Sequence, residues 1–344
     1  MLHVLFIVGM LTGYLQHVQR GWVFQERYLS PRILHFCKSE VFFECNHDQV
    51  ISETLRRGLP YDCVEVMPRK AVMGPSRGAM REKGWNWAVQ EYTRKSLTYP
   101  RDKLIALSGV AKYFAPEYKA PYLAGIWGGP HLLKGLAWKC DDYLDGWRPR
   151  SRISIGAPTW SWASLDTKIK YDSPNGPVIE EARILEAQTT LASEDPTGAV
   201  SNGLIVLQGS VCIITIKDKK KDGLKVFLGQ ENGHKEGIYI DVSLDGTTPR
   251  GGEFYLLLLY KDTTTPEWDT EKHQHPTYQY LVLQPSGNHE GDGYYERCGT
   301  AQTWTSTKTD KIDKSWMRWM RKNGDKVPCE KYLGPEEGHI IRLI

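Results

Sequence analysis

The segment 20–45 constrains the fold most strongly, because it combines a short helix, a chain stop and a hairpin in one stretch. Apolar and aromatic side chains recur through 22–29 and leave Gln25, Glu26 and Arg27 as the polar group, which is typical of a short helix. Ser30-Pro31 ends this helix, since proline lacks an amide hydrogen and disfavours helical geometry in the preceding residue.

The residues that follow predict a β-hairpin. Segments 32–36 and 41–45 are rich in β-branched and aromatic side chains, and the polar residues 37–40 connect them. By residue chemistry alone, this unit is a helix packed on a two-stranded ribbon within a core.

The same residues carry a resemblance to a known family. They resemble the last motif block of the fungal HET (heterokaryon incompatibility) domain at Arg20, Gly21, Trp22, Gln25, Glu26, Arg27, Ser30, Pro31, Arg32, Glu44 and Cys45. The segment departs from the family where Cys37 replaces a small turn residue and where Phe24 and Tyr28 replace aliphatic residues. Segments 92–94, 97–98, 102–109, 122–127 and 157–164 resemble what ordinarily follows that block.

The resemblance implies a function. HET-domain proteins act in fungal non-self recognition and programmed cell death signalling. The resemblance therefore implies that this chain associates with protein partners in the cytoplasm, with self-association as an option. Their fold has been thought distantly similar to Toll/interleukin-receptor signalling domains. A nucleotide-cleaving activity stays open, with Glu26 as a weak catalytic candidate. In the competing interpretation Glu26 pairs with Arg20 or Arg27, or caps local backbone amides.

The start of the chain is atypical for the family, because the two earlier HET blocks do not precede Arg20. We therefore expect an N-terminally truncated domain, inactive in one interpretation. The apolar run 1–15 is shorter than the about 20 residues of a membrane span. It predicts a buried or partner-facing helix, an artefactual start that replaces a lost domain, or a signal or anchor.

The remaining patterns predict an α+β fold: a partial HET-like helix and hairpin, a helical middle segment, and a mostly antiparallel β sandwich or open-barrel region. We divide the chain into four parts. Residues 1–45 form a HET-like end with an apolar N-terminus, and residues 46–84 form a connecting loop. Residues 85–177 form a helical segment ending in a Trp-Ser-Trp strand, and residues 178–344 form a β-rich region. A closing helix near 312–322 is basic and amphipathic, so it either caps the domain or contacts a membrane or partner.

Composition narrows the classes of function. The 344 residues carry a net charge of +3 with the signs interspersed, which gives no argument for nucleic-acid binding. Seven cysteines without a CxxC pair favour reduced thiols and an intracellular protein. Phosphate-loop and dinucleotide signatures are absent from the sequence, so we expect no cofactor.

Two weaker alternatives concern ligands. A zinc site could use His35, Cys37, Cys45 and His47, against the alternative of core packing. A carbohydrate-binding or glycoside-processing protein could use the Trp-rich β region, with Trp160 and Trp162 stacking on a sugar instead of filling a core. Its acid and base would come from Asp141-Asp142 or Glu180-Glu181, which we expect to be solvated.

Overall fold

The computed structural model describes part of the chain, and the described residues fall into two compact units. Unit 1 comprises Met1–Tyr122 with Asp195–Ala199, and unit 2 comprises Leu123–Glu194 with Val200–Ile344. The described ranges are 4–8, 19–36, 41–45, 49–52, 58–60, 84–141, 152, 156–172, 178–215, 218–220, 223–226, 240–245, 253–263, 277–287, 293–303 and 309–344. The boundary between the two units falls inside the predicted helical segment 85–177, and the four-part division stays a prediction.

The described part of unit 1 combines a five-stranded sheet with three helices. The strands follow the order β1-β2-β3-β4-β5. They are β1 (Val4–Val8), β2 (Arg32–Phe36), β3 (Val41–Cys45), β4 (Gln49–Ser52) and β5 (Gly58–Pro60), and the helices are α1 (Gly21–Leu29), α2 (Gly84–Thr93) and α3 (Ser108–Tyr118). Short 3-10 helices at Pro100–Asp102 and Ile105–Leu107 lead into α3.

Two predictions for this unit are wrong. The apolar run at the start contains a strand, not a helix, because β1 pairs in parallel with β2. A parallel pair needs a crossover, and α1 lies in that crossover. The predicted connecting loop 46–84 contains β4 and β5, which extend the hairpin of β2 and β3 into an antiparallel meander.

Aromatic side chains fill the helical core of unit 1. Phe24 of α1 contacts Tyr92 of α2 with ring centroids 5.7 Å apart, and Tyr28 lies 6.0 Å from Phe114 of α3. Trp85 packs edge-on against Phe114 at 5.9 Å. These large rings hold the three helices together, since each buries far more apolar surface than an aliphatic side chain.

Unit 2 is built on one large branched sheet of 12 strands, mostly antiparallel, and the α+β class is thus confirmed. Its strands are β10 (Val178–Glu180), β11 (Arg183–Leu191), β12 (Val200–Gly209), β13 (Val211–Thr215), β14 (Asp218–Lys220), β15 (Gly223–Val226), β16 (Ile240–Leu244), β17 (Glu253–Asp262), β18 (Thr277–Pro285), β19 (Tyr294–Thr303), β20 (Lys331–Gly334) and β21 (Gly338–Leu343). The parallel pair β19–β21 makes the sheet mixed.

The remaining described elements are smaller. They are β6 (Tyr122–Leu123), β7 (Ile126–Trp127), α4 (Leu132–Leu136), β8 (Trp138–Cys140), β9 (Ile169–Tyr171) and the closing helix α5 (Thr309–Asn323). The closing helix is confirmed. The predicted Trp-Ser-Trp strand is wrong, because residues 159–161 form a turn and Trp162–Ser164 a 3-10 helix.

Candidate functional site

The helix α1 carries the first residues of the HET-like motif and is fixed to a later segment of unit 1. The Gly21 amide donates to the Ser96 carbonyl at 2.8 Å. The Gln25 side-chain oxygen accepts a hydrogen bond of 2.5 Å from the Gly109 amide at the start of α3. A Cβ at Gly21 would lie 2.6 Å from Leu97, which explains a glycine there. Two separate blocks of the resemblance are therefore in direct contact.

The helix α1 also leaves large apolar side chains in solvent. Trp22 and Leu29 are 41% and 38% exposed, and Ile105 and Tyr113 of the adjacent helical run are 39% and 44% exposed. Leu29 lies against Gly109, midway between Ile105 and Tyr113 on that run. We call these four residues the α1 surface. Clustered exposed apolar side chains commonly mark an interaction site.

Glu26 lies on the same exposed side of α1. Among the described residues its carboxylate forms no ion pair, so the expected pairing with Arg20 or Arg27 is wrong. Arg27 instead is buried at 6% exposure, and Arg20 is exposed. The Glu26 backbone carbonyl accepts from the Ser30 amide at 3.0 Å and from its hydroxyl at 2.7 Å, which closes the helix before Pro31.

The strand residues of the motif and the metal alternative lie in the β2–β3 ladder. Register pairs Arg32 with Cys45, Ile33 with Glu44, and His35 with Phe42. His35 and Cys45 therefore occupy positions on opposite faces of the ladder, because faces alternate along each strand. Cys37 and His47 lie outside the described residues. Elsewhere in the described ranges no group of three His, Cys, Asp or Glu residues could hold a metal ion.

A second pair of resemblance blocks meets in unit 2. The Ser161 hydroxyl donates to the Ala124 carbonyl at 2.5 Å, and the Trp162 indole donates to the Gly125 carbonyl at 2.8 Å. Gly125 has φ +96°, and a Cβ there would lie 2.6 Å from the Trp162 ring. Trp160 and Trp162 are fully buried, so neither ring offers a surface on which a sugar could stack.

Among the described residues of unit 2, the most buried charge is Arg297 in β19, which sequence reasoning missed. Its side chain is fully buried, with the guanidinium 3.2 Å from the centroid of the Trp138 ring. It donates to Asp245 at 2.5 Å and also to the Trp138 carbonyl. Burial lowers the pKa of Arg297, and the Asp245 charge acts in the opposite direction. Arg152 adds a second cation, 3.9 Å from Asp245.

Lys261 forms ion pairs with two carboxylates, one of which belongs to α5. Lys261 lies 2.8 Å from Glu181 and 3.3 Å from Asp313, and the Tyr278 hydroxyl donates to Asp313 at 2.9 Å. Both carboxylates help to raise the pKa of Lys261 despite its partial burial. Glu181 is therefore engaged by a cation rather than free as a glycosidase acid. Asp141, also expected to be solvated, is buried.

His339 of β21 is a buried neutral histidine. Its Nδ1 accepts from the Val211 amide at 3.2 Å, and its Nε2 lies 2.7 Å from the Gly324 carbonyl, which assigns the proton to Nε2. The ring stacks on Tyr332 at 4.9 Å. Burial lowers the pKa of His339 because the charged form would be desolvated, while hydrogen bonds with the Gly324 and Gly209 backbone act in the opposite direction. These contacts give it a structural role.

Comparisons with protein-family models, with curated proteins and with solved structures found no match in any of the three. The HET resemblance therefore stays a prediction carried by the quoted residues. No helix in the described ranges is both long and apolar enough to cross a membrane.

Proposed function

We propose that this chain is a HET-domain-like protein that acts in fungal non-self recognition and programmed cell death signalling, through association with protein partners in the cytoplasm. The observation that carries the proposal is the contact between resemblance blocks. Gln25 joins the first block to Gly109 of a later one, and Trp162 joins the Trp-Ser-Trp block to Gly125. Residues that share contacts across long sequence distances are expected to belong to one structural pattern.

The α1 surface supplies the means of association in this proposal. Its residue Leu29 lies against Gly109 beside the Gln25 contact, so a partner would dock on a base formed by α1 and α3. Trp22 is the expected anchor, because a tryptophan that becomes buried on binding contributes more than smaller side chains. The carbohydrate alternative lacks comparable support, since Trp160 and Trp162 are inaccessible.

The test is regulated expression in a filamentous fungus, with uptake of a membrane-impermeant dye as the measure of hyphal death. We expect the wild type to increase dye uptake and Trp22→Ser to reduce that effect at equal protein level. The matched control is Tyr99→Ser, which changes a 57% exposed aromatic of the same unit outside the α1 surface. It should behave as the wild type.

Thermal unfolding of the purified variants shows whether Trp22→Ser remains folded. Light scattering of the wild type and Trp22→Ser then reports self-association. Absence of death above an empty-vector strain at matched expression would contradict the signalling function. Equal effects of the Trp22 and Tyr99 variants would contradict the α1 surface as the docking site.

A further inference from the structure

The closing helix α5 uses its apolar side internally. Ile312, Trp316 and Met320 recur at four-residue steps, are at most 4% exposed, and join the core cluster of the sheet. The Trp316 ring lies 5.3 Å from that of Tyr280 on β18. A helix with its apolar face committed in this way cannot insert that face into a bilayer. Its capacity to bind therefore depends on the outward face.

The side chain of Asp313 is directed toward the sheet. It accepts from the Tyr278 hydroxyl at 2.9 Å and lies 3.3 Å from Lys261 on β17. Its negative charge is thus engaged away from the outward face. Asp310, which stands one helical turn before Lys314, is the other acidic residue of α5, and the sequence contains none between residues 314 and 322.

The outward face carries a line of cations. Lys314, Arg318 and Arg321 are exposed and stand at positions i, i+4 and i+7, which is about 10 Å along a helix axis. Among the described residues Lys314 and Arg318 have no acidic partner. Arg321 lies 3.8 Å from Glu336, and both side chains are about 70% exposed or more, so this ion pair neutralises little.

We propose that this face of α5 binds a membrane surface that carries anionic phospholipids, by charge and without insertion. Half-buried Met317 borders the cations, whereas Trp319 packs against the core cluster of the sheet. The headgroup region of a bilayer accommodates an apolar thioether, whereas phosphates of a nucleic acid gain nothing from one. The chain's net charge of +3 also lacks the broad basic field expected of nucleic-acid binding. The inference is independent of the proposed function.

The test is co-sedimentation of the full chain with phosphatidylcholine vesicles, with and without 30% phosphatidylserine, at low salt. Each cation near an anionic surface contributes about fivefold to binding, so Lys314→Gln/Arg318→Gln should bind about 30-fold more weakly. The matched control is Arg101→Gln/Arg183→Gln, which removes two exposed cations elsewhere and should bind as the wild type. Raising the salt tenfold should release the wild type.

Several results would overturn the proposal. They are absence of vesicle binding, equal binding to neutral and anionic vesicles, and equal losses in the test and control variants. Vesicle binding that resists salt would indicate insertion instead. A labelled 20-base-pair duplex DNA that binds with the same dependence on Lys314 and Arg318, while vesicles do not, would assign the face to nucleic acid. The salt series on the wild type keeps the test valid even if the variant misfolds.

Discussion

The buried charge pair of Arg297 and Asp245 allows a quantitative prediction for Arg297→Met. The guanidinium is fully buried, donates to Asp245 at 2.5 Å and stacks on Trp138. Methionine retains apolar volume but removes the charge. Asp245, which is 2% exposed, would then lose the closest of its cations while remaining buried. This cost exceeds that of the lost hydrogen bonds, because a buried charge cannot recover its hydration.

The structure indicates how large the loss of unfolding free energy on Arg297→Met should be. Removing one partner of a buried ion pair costs about 3–5 kcal/mol. Arg152 stays 3.9 Å from the Asp245 carboxylate, so part of the neutralisation persists. We therefore expect Arg297→Met to lower the free energy of unfolding by about 3 kcal/mol. The double variant Arg297→Met/Asp245→Leu removes both charges and should recover to within about 1 kcal/mol of the wild type.

Urea unfolding followed by tryptophan fluorescence measures both variants. The matched control is Arg342→Met, because Arg342 also pairs with a carboxylate, Glu330 at 3.0 Å, and lies 5.2 Å from the Tyr294 ring. Its side chain is 28% exposed, so the control should cost at most about 1 kcal/mol. The reasoning would be refuted if Arg297→Met cost no more than Arg342→Met, or if the double variant were less stable than the single one.

Two further predictions concern unit 2. Burial lowers the pKa of His339 below its ordinary 6.5. Below pH 6.5 the unfolded state therefore binds a proton at His339 more readily than the folded state does. The free energy of unfolding should therefore fall as the pH drops below 6.5, by at most about 1.4 kcal/mol per pH unit. The variant His339→Gln should flatten this pH dependence, measured as the urea midpoint between pH 5 and 7. An unchanged pH dependence would contradict the assignment of His339 as a buried neutral histidine. Gly125→Ala should lower the unfolding midpoint more than Gly334→Ala. Both glycines have positive φ, but a Cβ at Gly125 meets the Trp162 ring and one at Gly334 meets nothing within 4 Å. Equal losses would mean that backbone conformation alone matters.

Local periodicity was sufficient for the elements whose partners are close in sequence. The helix before Ser30-Pro31, the hairpin of β2 and β3 and the amphipathic α5 all follow from residue spacing and stop signals. The strand β1 could not be recognised, because a continuous apolar run has no period that separates a strand from a helix. Its identity depends on pairing with β2, beyond α1.

The polar contacts of the structure depend on distant partners and leave no local signal. Arg297 reads as an outward residue of a strand, yet its partners Asp245 and Trp138 lie 52 and 159 positions away. The division into units is equally non-local. Residues Asp195–Ala199 belong to unit 1, where Lys112 pairs with Asp195 at 2.8 Å and the Thr197 hydroxyl donates to the Ser108 carbonyl. No shift of composition marks that segment.

The closing helix shows how burial resolves what an amphipathic sequence leaves open. Sequence alone allowed α5 to cap the domain, contact a membrane or bind a partner, since each needs an apolar and a basic side. With Trp316 and Met320 in the core of the sheet, capping is realised and insertion is excluded. The cations at Lys314 and Arg318 contribute nothing to that packing. Any binding by this helix must therefore weaken steeply with salt, which distinguishes it from association through the apolar α1 surface.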